Sequence, residues 1–307
     1  MQQRPIGPLV NCLRLLGAEV DYLKKDGYPP LRINALKKQL VNHIDIPGNI
    51  SSQYISALLM IAPSLPQGLT INLTTEVFSR PYIEMTLKLM AKYGVKHEWK
   101  GSSISILPQE YVAQTENYTV ESDWSGASYW YSFVALGEGE LFLPNLRADS
   151  TQGDQAIATI MDKMGVKSSF EQEGVRLTKH NSVQTALHLD FKECPDLAQT
   201  VLVVAAVKGI HLEMTGLESL KIKETDREQA MMNELAKIGA SLTESKGVWT
   251  LTPSDQLPDA VEIETYEDHR MAMAFAPLSE RMDVTINDPD VVKKSYPEFW
   301  DEVAGIR

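Results

Sequence analysis

Seven of the eight residues from Lys221 to Glu228, "KIKETDRE", carry an ionisable or hydroxyl side chain. Two kinds of chemistry fit that density. In a continuous helix, Lys223 and Arg227 stand at i and i+4, flank Glu224 and Asp226, and make a solvated ion-pair face. Otherwise the two cations grip anions, a task for which arginine is built through its bidentate fork. Similar clusters recur along the chain at Arg4, Ser51-Ser52-Gln53, Ser79-Arg80-Pro81-Tyr82, Asp196, Asp268-His269-Arg270 and Lys293-Lys294. Each has a plain reading as well. Ser51, Ser52, Asp196 and Asp268 suit helix N-caps, Tyr82 packing, His269 a half-buried histidine, and the two lysines a surface.

The elements that must position these residues repeat along the chain. An amphipathic helix ending in glycine occurs four times, in "LVNCLRLLG", "TLKLMAKYG", "IATIMDKMG" and "MMNELAKIG". The glycines are Gly17, Gly94, Gly165 and Gly239, separated by 77, 71 and 74 residues, and they serve as C-terminal caps. A second helix alternates with the first, opening on small or acidic residues, as in "ISSQYISALLMIA", "SDWSGASYWYSFVALG", "CPDLAQTVLVVAAVKG" and "YEDHRMAMAFAPL". Between them lie strand-like runs, among them "LTINLT", "SISILP", "GELFLP", "GVRLT", "GIHLEM", "GVWTLTP" and "DVTIND". A period this long is a folded unit and not a solenoid turn, so the pattern predicts an α/β fold of repeated βαβαββ units. The clusters fall at or just before helix starts, where free N–H groups and the positive end of the dipole receive phosphate and carboxylate. Cations there disfavour the helix itself, so their repetition points to an anionic ligand.

Composition narrows the field. With 307 residues the chain accommodates two domains, and 43% hydrophobic with 23% charged residues is a globular mix. A formal net charge of −12 argues against a nucleic-acid partner. No apolar run reaches the length of a membrane span. Cys12 and Cys194 stand far apart and in no metal-ligand spacing, which predicts a reduced, cytoplasmic setting and no metal.

At "RPIG", "ISSQY", "SRPYIEMTL", "SDWSGASY", "KIKETDR" and "YEDHRMAM" the sequence resembles the 5-enolpyruvylshikimate-3-phosphate synthase family, over essentially the whole chain. The resemblance implies a transferase that moves the enolpyruvyl group of phosphoenolpyruvate to the 5-hydroxyl of shikimate 3-phosphate. It implies the inside-out enolpyruvyl transferase α/β fold, two domains of βαβαββ units that close over the substrates, and a monomer without a cofactor. It assigns Arg4, Arg227, Arg270 and Lys294 to phosphoenolpyruvate, with Lys223 beside the reacting centre. Ser51, Ser52, Gln53, Ser79 and Tyr82 go to shikimate 3-phosphate. Glu224 serves proton transfer at the methylene carbon and Asp196 at the hydroxyl, with Lys223 assisting, and His269 orients its neighbours. Ser219 stands where the family often has asparagine and keeps a hydrogen-bonding role.

The family also has an N-terminal portion ahead of "RPIG", with a Lys/Ser/Arg substrate motif and a glycine-rich segment, that this sequence does not contain. The expectation is therefore an incomplete first domain at residues 1–120, a second domain at 121–307, and weak or no turnover by the chain alone. Two other readings stay open. The sister transferase acting on UDP-N-acetylglucosamine shares the repeat but usually depends on a cysteine ahead of its Arg-Pro, and no cysteine precedes "RPIG" here. An inactive fragment of a larger polypeptide is the non-enzymatic alternative.

Overall fold

The computed structural model describes residues 4–113, 117–218, 220 and 226–306. It divides into two compact units, Met1–Thr119 and Val120–Arg307. Helix ends fall where local chemistry dictates. Gly17, Gly94, Gly165 and Gly239 have φ of 106°, 83°, 97° and 82°, the left-handed turn by which a chain leaves a helix without a Cβ penalty.

The first unit contains α1 (Gly7–Leu16), β1 (Val20–Tyr22), β2 (Leu31–Ile33), β3 (His43–Ile46), α2 (Ser52–Ile61), β4 (Leu69–Leu73), α3 (Arg80–Lys92), β5 (Glu98–Lys100) and β6 (Ser103–Ile106). β1 and β2 form an antiparallel ribbon. The sheet runs β3-β4-β6-β5, with β3 parallel to β4 and the other pairs antiparallel. Period-two alternation puts Ile44, Ile46, Leu69, Ile71 and Leu73 on one face. There they pack with Ile55, Leu58 and Leu59 of α2 and Ile83, Leu87 and Met90 of α3. This is one complete βαβαββ unit, and it leaves the starts of α2 and α3 just beyond the C-terminal ends of the parallel pair.

The second unit contains α4 (Trp124–Leu136), β7 (Leu141–Pro144), α5 (Ala156–Lys163), β8 (Val166–Glu171), β9 (Gly174–Lys179) and β10 (Ala186–Asp190). It continues through α6 (Ala198–Lys208), β11 (His211–Thr215), α7 (Arg227–Lys237), β12 (Ser241–Ser245), β13 (Val248–Thr252), β14 (Ala260–Ile263), α8 (His269–Phe275), β15 (Asp283–Ile286) and α9 (Phe299–Gly305). The sheet β10-β11-β13-β12 repeats the order and directions of the first. Beside it lie the sheet β7-β9-β8 and the parallel pair β14-β15. α4, α6 and α8 pack on one another. α4 is buried at Trp124 and from Ala127 to Leu136, and α6 from Ala198 to Ala206. Helices apolar on every side belong at the centre of a domain, and "VLVVAA" is such a sequence.

All seven strand runs read from the sequence are strands here. The first strand of each repeat, β3, β10 and β14, reads "HIDI", "ALHLD" and "AVEI". These are short, with polar residues on the open face, so their apolar signal is faint.

Candidate functional site

Two arginines organise the starts of α6, α7 and α8. Asp196 sits in a single 3-10 turn, Pro195–Leu197, that leads into α6. Arg227 is the first residue of α7, which Asp226 caps by accepting the Gln229 N–H at 3.2 Å. Asp268 caps α8, accepting the Arg270 N–H at 2.9 Å. The Arg227 fork donates to Asp268 through Nε at 2.7 Å and Nη2 at 3.4 Å, and through Nη1 to Asp196 at 3.0 Å. Arg270 donates through Nη2 to the other Asp196 oxygen at 3.1 Å and through Nη1 to the Tyr129 hydroxyl at 3.3 Å. One carboxylate, Asp196, thus bridges both guanidinium groups.

Exposure separates structural from available groups. Arg227 is 2% exposed and Asp268 fully buried, whereas the Asp196 side chain is 25% and the Arg270 side chain 14% exposed. A buried charge is tolerated only when paired. Burial opposes the Arg227 charge, but Asp268 and then Asp196 outweigh it and hold its pKa above the usual arginine value. Burial likewise opposes the Arg270 charge, and Asp196 leads the groups that overcome it. For Asp268, burial pushes the carboxyl up, and the Arg227 charge and hydrogen bond pull it below its ordinary value. Two arginines and two aspartates leave this cluster formally neutral.

His269 sits beside the cluster. Its Nδ1 lies 3.4 Å from Asp268 Oδ1 and makes no hydrogen bond among the described residues. Burial lowers its pKa to about 4; Asp268 opposes the shift, and Arg270, Lys294 and Arg227 add to it. The imidazole is therefore neutral at pH 7. Because the folded value lies below the unfolded 6.5, His269 contributes stability that is present above pH 6.5 and lost as pH falls toward 4. A proton NMR titration of its Cε1–H should show a midpoint near 4; a midpoint above 6 would refute the neutral assignment.

In the first unit the two helix starts are drawn together by their loops. The Phe78 N–H donates to the Gly48 carbonyl at 3.0 Å, and the Asn49 N–H to Thr75 Oγ1 at 3.1 Å. A Cβ at Gly48 would lie 2.8 Å from the Thr75 carbonyl oxygen, so only glycine allows this approach. Ser51 and Ser52 open α2, with Gln53 exposed beside them, while Ser79 precedes α3 in a left-handed conformation (φ 54°) and Tyr82 lies in its first turn. Arg4 lies near α2: Tyr54 donates its hydroxyl to the Pro5 carbonyl, and the Arg4 charge opposes the burial that raises the Tyr54 pKa.

Several plain readings need correction. Among the described residues Ser51 makes no side-chain capping bond, and neither does Asp196, whose carboxylate accepts from both arginines. Arg227 belongs to no solvated face. Asp268 is the cap that the sequence suggests, and also the buried partner of Arg227. Lys293 does lie on the surface, paired with Asp290 at 2.8 Å, and Lys294 is exposed. Lys223, Glu224 and Ser219 lie outside the described residues. The sequence reading gave no role to Tyr129, although it lies in the quoted "SDWSGASY"; a tyrosine in a helix buried on every side was the available signal, since its hydroxyl needs a polar partner. A cavity of about 710 Å³ in the same unit, lined by Trp130, Phe142, Leu143 and Tyr296, does not include the arginine cluster. Among the described residues no cluster of metal-ligating side chains occurs, and no helix is long and apolar enough to cross a membrane.

The repeated βαβαββ sheets, with charged groups at the helix starts, define an α/β architecture of duplicated units. Two solved structures of EPSP synthase from Acinetobacter baumannii share that fold, with TM-scores of 0.77 and 0.75 at 22% and 21% identity, covering 98% and 99% of this chain and 70% of each of theirs. A model of the EPSP synthase (3-phosphoshikimate 1-carboxyvinyltransferase) family matches residues 1–303, and the chain belongs to that family of transferases. A 3-phosphoshikimate 1-carboxyvinyltransferase of Bacteroides fragilis is 45% identical over 99% of this chain and 74% of its own length. One from Neisseria meningitidis is 39% identical over 98% of this chain and 70% of its own.

Proposed function

We propose that this chain takes phosphoenolpyruvate and shikimate 3-phosphate as substrates and that the residues above divide the work between them. The observation that carries this reading is the convergence of Arg227 and Arg270 on the single carboxylate of Asp196. Two forks that already hold one carboxylate are shaped for the carboxylate or phosphate of phosphoenolpyruvate. Asp196 is then the group an incoming anion displaces from the guanidinium forks. Released toward the 5-hydroxyl, it serves as the base that removes the hydroxyl proton. Because the four charged groups cancel, a polyanionic substrate needs further cations, and Arg4, Lys223 and Lys294 supply them. Glu224 delivers the proton to the methylene carbon, and His269, neutral at pH 7, orients rather than transfers.

Ser51, Ser52, Gln53, Ser79 and Tyr82 take shikimate 3-phosphate at the starts of α2 and α3, where free N–H groups suit a phosphate, and Ser219 adds a hydrogen bond. The first unit is then the partial shikimate 3-phosphate domain and the second the other transferase domain. The protein acts as a cytoplasmic monomer. Calorimetric titration and a coupled phosphate-release assay test the reading together. Shikimate 3-phosphate should bind and support phosphoenolpyruvate-dependent phosphate release, and UDP-N-acetylglucosamine should do neither. Binding of the nucleotide sugar in place of shikimate 3-phosphate would transfer the chain to the sister activity.

A further inference from the structure

Tyr129 lies at the middle of α4, 2% exposed, in a helix that contributes no other side-chain hydrogen bond to either arginine among the described residues. Its ring packs edge-on against Phe299, with centroids 6.1 Å apart at 75°. Its hydroxyl oxygen accepts the Arg270 Nη1–H at 3.3 Å while Asp196 accepts the Nη2–H at 3.1 Å. A guanidinium held at one nitrogen can swing about the long axis of its side chain; held at both terminal nitrogens, its plane is fixed. The two holders differ in kind. Asp196 is partly exposed, mobile in principle, and charged, so it competes with any anion that approaches Arg270. The phenol is buried and neutral: burial leads the groups acting on it and pushes its pKa up to about 12. It cannot neutralise Arg270 and so does not compete with a bound anion.

We propose that Tyr129 is the positioning residue of Arg270, the fixed holder that keeps the guanidinium plane aligned for phosphoenolpyruvate when the Asp196 carboxylate leaves the fork. This inference rests on the reading of Arg270 as a phosphoenolpyruvate ligand. It extends that reading to a residue on a different helix, one whose packing partner Phe299 lies on α9.

The test is Tyr129→Phe, which deletes only the hydroxyl and keeps the ring against Phe299. A hydrogen bond to a charged group lost in this way should weaken phosphoenolpyruvate binding about tenfold or more. Shikimate 3-phosphate affinity should stay close to that of the unchanged protein, and the thermal midpoint should fall by no more than the few degrees that one lost hydrogen bond costs, a split that a general packing role would not produce. A double-mutant cycle with Arg270→Lys gives the second readout, because lysine lacks the planar fork. The tenfold effect should disappear in the Arg270→Lys background. Equal losses for both substrates, an unchanged phosphoenolpyruvate affinity, or full additivity with Arg270→Lys would each overturn the inference. If the unchanged protein does not bind phosphoenolpyruvate, the functional reading fails and the inference falls with it. If it binds and Tyr129→Phe binds equally well, only the role of Tyr129 fails.

Discussion

Arg227→Ala should destabilise the second unit by about 3–5 kcal/mol, the usual cost of removing one partner from a buried ion pair. Asp268 is fully buried, and among the described residues Arg227 supplies its only ion pair closer than 3 Å. Without the guanidinium, Asp268 keeps the Arg270 backbone N–H but loses its compensating charge. In a unit of this size such a loss lowers the melting temperature by roughly 10 °C, readable by calorimetry. The pH dependence identifies the cause. In the unchanged protein Asp268 titrates below its ordinary value of 3.8, so its contribution is complete above pH 4 and is lost as pH falls through the folded value. In Arg227→Ala burial dominates and the carboxyl pKa rises. Acid then relieves the variant by neutralising the stranded charge, and the two proteins should converge in stability as pH approaches 4. A variant that melts within a degree or two of the unchanged protein, or a gap that widens in acid, would show that this pair does not hold the unit together.

Asp196→Asn should separate binding from chemistry. The side chain keeps its shape, but Arg270, whose side chain is 14% exposed, loses its paired carboxylate, so the substrate-free protein should lose some stability. The arginine forks lose the carboxylate that occupies them. The cluster changes from neutral to a net charge of +1, and phosphoenolpyruvate should bind as tightly as before or more tightly. Turnover should fall by about 10²–10⁴, the usual range for loss of a general base, because an amide cannot take the hydroxyl proton. Phosphate release at saturating substrates gives the rate, and equilibrium titration gives the affinity. A parallel fall in both would reduce Asp196 to a binding residue, and an unchanged rate would remove it from the reaction.

Much of this could be read from the chain, and the reasons are local. Gly17, Gly94, Gly165 and Gly239 mark helix ends because only glycine enters the left-handed turn cheaply. "VLVVAA" marks a helix buried on every side because it has no polar face to offer solvent. The residue types of the candidate site were legible too, through their recurrence at helix starts, although each taken alone also suits a cap or an ion pair. What could not be read is which charge satisfies which. Arg227 meets Asp196 across 31 positions and Asp268 across 41, and Arg270 meets Tyr129 across 141. No spacing rule links positions that far apart. From the sequence alone, Asp196 looks like a helix cap and Arg227 like half of an i, i+4 pair.

The sequence by itself therefore determined the repeating unit, its helix boundaries and the chemical kinds of group placed at its helix starts, because periodicity, glycine conformation and charge act over a few residues. Only the tertiary structure decided that three of those starts meet, that Arg227 and Asp268 are sealed from water while Asp196 is not, and that a tyrosine of α4 accepts a hydrogen bond from Arg270. Those outcomes depend on burial, and whether a charge is paired or stranded is set by neighbours that the packed core brings together from distant parts of the chain.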